Sequence, residues 1–274
     1  MVIARSSYVY WTDYGSGNVM EVPITGGTPT VIATGQNGPE GIRFDGSNIY
    51  WTNYNSGKVK KMPIGGGTIT TIATGQNEPD AGVALDGNGN VFWTDAGSGD
   101  VEQESINGGP VTALVTTGNP RNLAISNGYI YYTDAVGSVQ KVPVTGGTNT
   151  ILASGQNTPD GIAVANGYVY WANNGDGTIQ EIPIGGGANT ILASGQNHPI
   201  DVAADSNYVY WTDYGTSPSG GGASDMTVEK VPVGGGANVI VASGQNSPYW
   251  ITTDSNNIYW TEFTSSGDIM KIAK

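Results

Sequence analysis

The chain has 274 residues and no cysteine, and its 10 Lys and Arg residues against 23 Asp and Glu residues give a net charge of −13. Such an acidic protein repels phosphate backbones and anionic lipids, which argues against nucleic acid and membrane surfaces as partners. The lack of cysteine excludes disulfides, thiol nucleophiles and thiolate metal sites.

In chain order, the first predicted strand covers residues 1–5, and the second contains the tetrapeptide Tyr10-Trp11-Thr12-Asp13. Related tetrapeptides recur along the whole chain, with their second aromatic residue at positions 11, 51, 93, 132, 171, 211 and 260. Successive copies are therefore 39 to 49 residues apart. A period of about forty residues indicates one repeated supersecondary unit.

The second copy shows the internal pattern of the repeat. Residues 41–45 form a short apolar run, residues 49–52 are aromatic and β-branched, and residues 59–64 and 69–73 alternate apolar with polar side chains. These are features of β-strands. The segments between them are rich in glycine, which supplies the positive φ that tight turns need. No segment shows the helical period, so we predict an all-β fold.

Four-stranded units of this length are typical of the blades of a β-propeller. With strands lettered A to D from the axis outward, the chain holds 27 strands, one fewer than seven complete blades. We predict a single seven-bladed domain over residues 1–274 whose last blade lacks its outermost strand. The blades cover approximately residues 1–34, 40–74, 81–116, 121–154, 161–194, 201–243 and 250–274. The unpaired edge of the last blade is a predicted site of self-association.

The tetrapeptide at this period resembles the YWTD propellers of the low-density lipoprotein receptor family and, more loosely, the NHL propellers. In YWTD propellers the aromatic pair packs between blades and the aspartate connects neighbouring loops. The resemblance therefore implies a structural role for Asp13, Asp95, Asp134 and Asp213. That family has six blades and is flanked by cysteine-rich modules, whereas this chain is predicted to have seven blades and contains no cysteine.

The near-identical loops of the repeats favour a stand-alone bacterial propeller. Low lysine content and many Gly, Asn, Thr and Ser residues favour an extracytoplasmic or secreted location. No run of about 18 apolar residues and no signal-peptide pattern are present, so we expect no membrane insertion.

A Gly-Gln-Asn-x-Pro loop connects most D strands to the next A strand, on the face that the B-to-C loops also occupy. Its amide pairs are Gln36-Asn37, Gln76-Asn77, Gln156-Asn157, Gln196-Asn197 and Gln245-Asn246. Such amides beside tryptophans suit a multivalent sugar-binding face. Alternatively, each Asn stabilises its own turn and each Gln tethers the adjacent blade. Repetition in nearly every blade favours the structural interpretation.

Departures from the repeat are the stronger functional candidates. Trp250, next to Tyr249, is the one tryptophan outside the tetrapeptides, and His198 is the one histidine. An insertion at 214–226 extends a loop on the same face of blade 6. We predict a ligand-binding site at blades 6 and 7, formed by Trp250, Tyr249, His198, Asp201, Tyr214, Gln196, Asn197, Gln245 and Asn246. The alternative is that Trp250 only fills the central channel.

These features predict a non-catalytic binding protein whose ligand is a carbohydrate or a peptide or protein segment. The alternative is a hydrolase or lyase with His198 as the catalytic candidate, because seven-bladed lyases that act on cyclic peptides use one histidine at the axial opening. A structural or scaffolding role is the third hypothesis.

Carboxylates precede strand A in three blades and could together hold a cation, since hard cations prefer several oxygen ligands. These carboxylates are Glu40, Asp80 and Asp160. Charge balance with Arg43 and Arg121 is the preferred interpretation, and we expect neither a metal nor a cofactor.

Overall fold

A computed structural model describes residues 1–5, 7–215, 226–264 and 267–274. Within these residues the chain forms 27 strands in seven sheets, six of four strands and the last of three. The fold is an all-β, seven-bladed propeller of antiparallel sheets, so the predicted fold class and blade count are confirmed. Within each sheet the strands follow one another in chain order.

The first three sheets contain β1 (Val2–Arg5), β2 (Tyr8–Asp13), β3 (Asn18–Pro23) and β4 (Thr30–Ala33); β5 (Pro39–Phe44), β6 (Asn48–Asn53), β7 (Lys58–Pro63) and β8 (Thr70–Thr74); and β9 (Pro79–Leu85), β10 (Asn90–Asp95), β11 (Asp100–Ser105) and β12 (Thr112–Thr116). The fourth sheet contains β13 (Pro120–Ser126), β14 (Tyr129–Asp134), β15 (Ser138–Pro143) and β16 (Thr150–Ser154).

The last three sheets contain β17 (Pro159–Ala165), β18 (Tyr168–Asn173), β19 (Thr178–Pro183) and β20 (Thr190–Ala193); β21 (Pro199–Ala204), β22 (Tyr208–Asp213), β23 (Thr227–Pro232) and β24 (Val239–Ala242); and β25 (Pro248–Thr253), β26 (Asn257–Glu262) and β27 (Ile269–Ala273). A 3-10 helix, Tyr54–Ser56, lies between β6 and β7. The described residues include no helix with the length and apolar content needed to cross a membrane.

The chain divides into two compact units, residues 1–132 with 141–150, and residues 133–140 with 151–274. In the first unit, Trp93 shares a buried cluster with Tyr50 and Val59 of the preceding blade. In the second unit, Trp211 shares a buried cluster with Tyr170 of the preceding blade. The aromatic pair of the tetrapeptide thus packs between blades, where its large apolar area stabilises the fold most.

The threonine of the tetrapeptide links successive A strands. The hydroxyl of Thr52 accepts a hydrogen bond from the Gly41 N–H at 2.8 Å and donates to the Asp80 carbonyl at 2.9 Å. In blade 6 the equivalent hydroxyl of Thr212 donates to the carbonyl of Tyr249 at 2.5 Å. The position of Tyr249 at the start of blade 7 is therefore fixed by the core of blade 6.

Strand β27 pairs with β26 and is the outermost strand of its sheet. Its residue Met270 is 38% exposed. An exposed edge of this kind can pair with a strand of another chain. The self-association predicted for this edge stays a prediction.

Candidate functional site

The five glutamines of the Gly-Gln-Asn-x-Pro loops each accept a hydrogen bond from a buried tryptophan of the following blade. The indole Nε1 to Gln Oε1 distances are 2.9 to 3.3 Å for the pairs Trp51–Gln36, Trp93–Gln76, Trp171–Gln156, Trp211–Gln196 and Trp260–Gln245. The Nε2 groups of Gln196 and Gln245 also donate to backbone carbonyls within their own loops. Both ends of these two amides are therefore used inside the fold.

Blade 4 supports this structural role because it lacks both partners. Tyr132 replaces the tryptophan, and Thr117 replaces the glutamine in the preceding loop. The Thr117 N–H still donates to the Gly99 carbonyl at 2.7 Å, as the Gln76 N–H does to the Gly57 carbonyl at 3.1 Å. The backbone of the loop is thus retained, and the glutamine is absent where no indole needs an acceptor.

The fourth residue of the tetrapeptide forms hydrogen bonds with the Gly-Gln-Asn-x-Pro loops in two chemically distinct ways. Asp95 accepts a hydrogen bond from the Asn77 N–H at 2.8 Å, and Glu262 accepts one from the Asn246 N–H at 2.9 Å. Where the residue is an asparagine, as at Asn173, its Nδ2 donates to Gln156 at 2.9 Å instead. This residue connects neighbouring loops in either form.

Two residues of the predicted site are buried. Asp201 is 4% exposed, and its carboxylate accepts the Ile251 N–H of the next blade at 3.0 Å. Trp250 is 7% exposed, and its own N–H donates to the Thr261 hydroxyl at 3.1 Å. Asp201 thus connects blades 6 and 7, and the side chains of both residues offer little surface to a ligand.

Three other aromatic residues lie together, here called the aromatic surface and defined by Tyr214, Tyr249 and Phe263; the two tyrosines are half-buried and Phe263 is exposed. Tyr249 lies at the centre, with its ring centroid 5.9 Å from Tyr214 and 5.6 Å from Phe263. Its ring also meets the buried Trp250 edge-on at 4.9 Å. Phe263 is 60% exposed, which is unusual for so large an apolar side chain.

Phe263 is a residue that the sequence analysis missed. It follows Glu262 directly, in the repeat position that Tyr14, Tyr54 and Tyr214 occupy after their tetrapeptides. Its N–H donates to the Ser247 carbonyl at 2.9 Å, as the Tyr214 N–H does to the His198 carbonyl at 3.2 Å. The sequence signal was therefore present, as an aromatic residue after the fourth tetrapeptide position in four of seven copies.

His198 is exposed at the position before the loop proline and has a left-handed backbone with φ of 56°. Its Nδ1 lies 3.1 Å from the Asn197 side-chain oxygen. Because that oxygen is an acceptor, Nδ1 carries the proton in the neutral ring, and Nε2 keeps a lone pair. Its backbone carbonyl connects it directly to Tyr214 of the aromatic surface.

The long insertion that helped to define the predicted site is described only in part. Residues 216–225 lie outside the described residues. Tyr214 at its start belongs to the aromatic surface, and Met226 at its end is buried.

One of the three carboxylates considered for a cation makes a different contact. Asp80 is buried and forms an ion pair with Arg121 at 3.3 Å, in line with charge balance. Burial raises the pKa of the Asp80 carboxyl. Nowhere in the described part of the chain do three or more His, Cys, Asp or Glu side chains assemble as a metal site would require.

No protein-family model matches the chain, and no curated protein matches it in sequence. Its fold is similar to solved structures. A streptogramin B lyase is 14% identical with a TM-score of 0.82, covering 99% of this chain and 91% of its own. A catalytically inactive virginiamycin B lyase from Staphylococcus aureus with quinupristin is 14% identical with a TM-score of 0.83, covering 100% of this chain and 94% of its own.

A nidogen/laminin complex contains a chain that is 20% identical with a TM-score of 0.68, covering 84% of this chain and 90% of its own. At these identities the similarity establishes the fold alone. The resemblance to YWTD and NHL propellers remains an interpretation of the sequence.

Proposed function

We propose that the protein is a non-catalytic binding propeller that holds a peptide or protein segment on the aromatic surface. The observation that carries this proposal is Phe263, 60% exposed and packed against Tyr249. An exposed aromatic side chain that packs on half-buried aromatic neighbours is typical of protein interaction sites, where aromatic residues are enriched. The nidogen/laminin complex contains a chain of similar fold and is an assembly of two proteins.

The charge and packing of the region restrict the ligand. A protein of net charge −13 favours neutral or basic segments over acidic ones. The Tyr249 ring packs against the Trp250 ring, and its backbone carbonyl accepts a hydrogen bond from the Thr212 hydroxyl. These contacts order Tyr249 before a ligand binds. Such preorganisation lowers the entropic cost of association. We therefore infer a ligand with an apolar or aromatic side chain in a segment without excess negative charge.

Phe263→Ala should weaken the binding of such a segment about tenfold to a hundredfold, since burial of a phenylalanine side chain contributes about 1.5–3 kcal/mol. The probe is a random peptide library displayed on phage and selected on the protein, with selected sequences remade as synthetic peptides and titrated by calorimetry. Folding should be unaffected, because Phe263 is mostly exposed.

Val136→Ala is the matched control for this substitution. Val136 lies in the equivalent loop of blade 4 and is 73% exposed, but it is not part of the aromatic surface. Peptides that lose affinity in Phe263→Ala and keep it in Val136→Ala support the proposal. A library that yields no binder, or equal affinity in both variants, contradicts it.

A lyase or hydrolase that uses His198 is the second candidate function. It is favoured by the free Nε2 lone pair that the Asn197 contact leaves beside the aromatic surface, which suits a general base. This hypothesis predicts pH-dependent cleavage of quinupristin, detected by mass spectrometry. Activity should disappear in His198→Ala. No cleavage by the unmodified protein, or an unchanged rate in His198→Ala, refutes it for this substrate.

A further inference from the structure

A cavity lies in the first unit, and none of its lining residues belongs to the aromatic surface. It has a volume of about 430 Å³, within the range of small-ligand sites. It opens between the loop after β6 and the loop after β8. The lining side chains are Tyr54, Asn55, Ser56, Gln76, Asn77 and Glu78.

Asn55 occupies a loop position at which most copies of the repeat have glycine. The equivalent residues are Gly15, Gly97, Gly175 and Gly215, with Val136 in blade 4 and Thr264 in blade 7. At two of these positions an added Cβ would meet the asparagine of the adjacent loop, at 2.5 Å from Asn77 for Gly97 and at 2.3 Å from Asn157 for Gly175. In blades 3 and 5 the adjacent loop therefore favours glycine, whereas blade 2 accommodates a side chain.

Gly38, in the adjacent loop, provides the space that the Asn55 side chain occupies. Gly38 occupies the slot before the loop proline that holds Glu78, Thr158, His198 or Ser247 in other loops. A Cβ at Gly38 would lie 2.6 Å from the Asn55 Nδ2. The Asn55 backbone still donates to the Asn37 carbonyl at 3.2 Å, as in the other blades. The absence of a side chain at Gly38 thus leaves space for the Asn55 amide, which forms part of the cavity wall.

The cavity presents hydrogen-bonding groups of both kinds. The Asn55 Oδ1 accepts the Tyr14 hydroxyl at 3.2 Å, which orients the amide and leaves its Nδ2 as a donor. The Asn77 side chain is exposed and has no partner among the residues that the structure describes. The Glu78 carboxylate is also exposed and supplies acceptors. Amides and a carboxylate at one opening match the alternating donors and acceptors of neighbouring hydroxyl groups.

The aromatic and electrostatic features of the cavity further restrict the chemical class of its ligand. The rings of Tyr14 and Tyr54 meet edge-on with centroids 6.4 Å apart. Burial, followed by the hydrogen bond to Glu78 and the negative charges of Glu78 and Asp80, raises the pKa of Tyr54 to about 12. The local field is therefore negative and disfavours an anionic ligand.

We propose that this cavity binds one ring of a neutral or amino sugar. The hydroxyl groups would pair with Asn55, Asn77 and Glu78, and the phenol of Tyr54 would cover part of the ring. Uronic acids and phosphorylated sugars are excluded by the Glu78 charge. The site does not depend on the proposed peptide-binding function, because it uses no residue of the aromatic surface.

The test titrates glucosamine, N-acetylglucosamine and glucuronate into the protein and follows binding by saturation-transfer NMR. Tryptophan fluorescence is a second readout, since the Trp93 indole donates to Gln76 of the cavity wall at 2.9 Å. We expect millimolar binding of at least one of the first two sugars, and weaker or no binding of glucuronate.

Asn55→Gly and Glu78→Thr are the decisive variants, because other blades already carry Gly97 and Thr158 at these positions. Glu78→Thr should lower sugar affinity about tenfold or more, because it removes hydrogen bonds to a charged group, and Asn55→Gly should lower it about threefold to tenfold, because the amide is neutral. Phe263→Ala should leave sugar binding unchanged, which separates this site from the aromatic surface. The proposal is overturned if neither sugar binds, if glucuronate binds equally well, or if both variants bind like the unmodified protein.

Discussion

Gly177→Ala is expected to lower the free energy of unfolding by about 3–5 kcal/mol. Gly177 has a φ of 67°, and an added Cβ would lie 2.2 Å from the Gln196 carbonyl oxygen. That contact is with backbone, which cannot rotate away as a side chain can. The Gln196 N–H donates to the Gly177 carbonyl at 3.0 Å, and its side chain holds the Trp211 indole. Relief of the clash must therefore disturb a buried contact between blades. Disruption of such a contact is one of the few mechanisms by which a single substitution lowers the free energy of unfolding this much.

Gly195→Ala separates the steric contribution from the backbone contribution. Gly195 has a similar φ of 74°, but an added Cβ there would meet nothing within 4 Å. It should cost only the strain of a left-handed alanine, about 1–2 kcal/mol. Urea denaturation of the two variants, followed by tryptophan fluorescence, gives both values. Equal losses of stability in the two variants would show that the Gln196 contact is relieved at no cost.

The repeat explains why the fold was predictable from sequence in detail. Because one unit occurs seven times, an error in one copy is corrected by the others. The strands predicted at 41–45, 49–52, 59–64 and 69–73 correspond to β5, β6, β7 and β8 within two residues at their ends. The missing strand of the last blade was also predictable, since it follows from counting alone. Chain period and strand composition determine these features without any knowledge of contacts.

The candidate site was less predictable because residue type does not specify contact. The amide of Gln196 could bind a sugar hydroxyl or an indole, and the sequence does not distinguish the two. The 3.0 Å distance between Gln196 Oε1 and Trp211 Nε1 shows that it binds the indole. Trp250 is unusual in sequence yet buried, whereas Phe263 is ordinary in sequence yet exposed. The space that Gly38 leaves for the Asn55 side chain is visible only from the distance between the two loops.

The last prediction concerns two carboxylate pairs that lie beside interblade tryptophans. Burial, with the charge of Asp95, raises the pKa of Glu102 to about 7. Burial, with the charge of Glu229, raises the pKa of Asp213 to about 7. Glu102 pairs with Trp93 and Glu229 with Trp211 in the same register between strands B and C. The two blades therefore contain the same acidic arrangement.

The direction of the pH dependence follows from proton binding. Between about pH 4 and pH 7 the folded protein holds protons on Glu102 and Asp213 that the unfolded chain releases, so stability falls as pH rises through this window. After allowance for solvent screening we expect losses of about 1 kcal/mol for Glu102 and about 2 kcal/mol for Asp213. Asp205 has the opposite effect on the pH dependence of stability. Burial alone would raise its pKa, but hydrogen bonds, first that of Lys274, lower it to about 2, so its stabilising contribution is lost below about pH 4.

Glu102→Gln and Asp213→Asn should each stabilise the protein at pH 8 and flatten the decline between pH 5 and pH 8. Blade 5 already contains the uncharged arrangement, with Asn173 and Gln180 at the corresponding positions, so both substitutions fit the fold. Asp205→Asn is the control of opposite sign and should destabilise at pH 7, because it removes the Lys274 ion pair at 2.6 Å. Urea denaturation at pH 5 and pH 8 measures all four proteins. If the unmodified protein is as stable at pH 8 as at pH 5, the two carboxyls are not protonated near neutrality, and the tryptophan contacts tolerate a full negative charge.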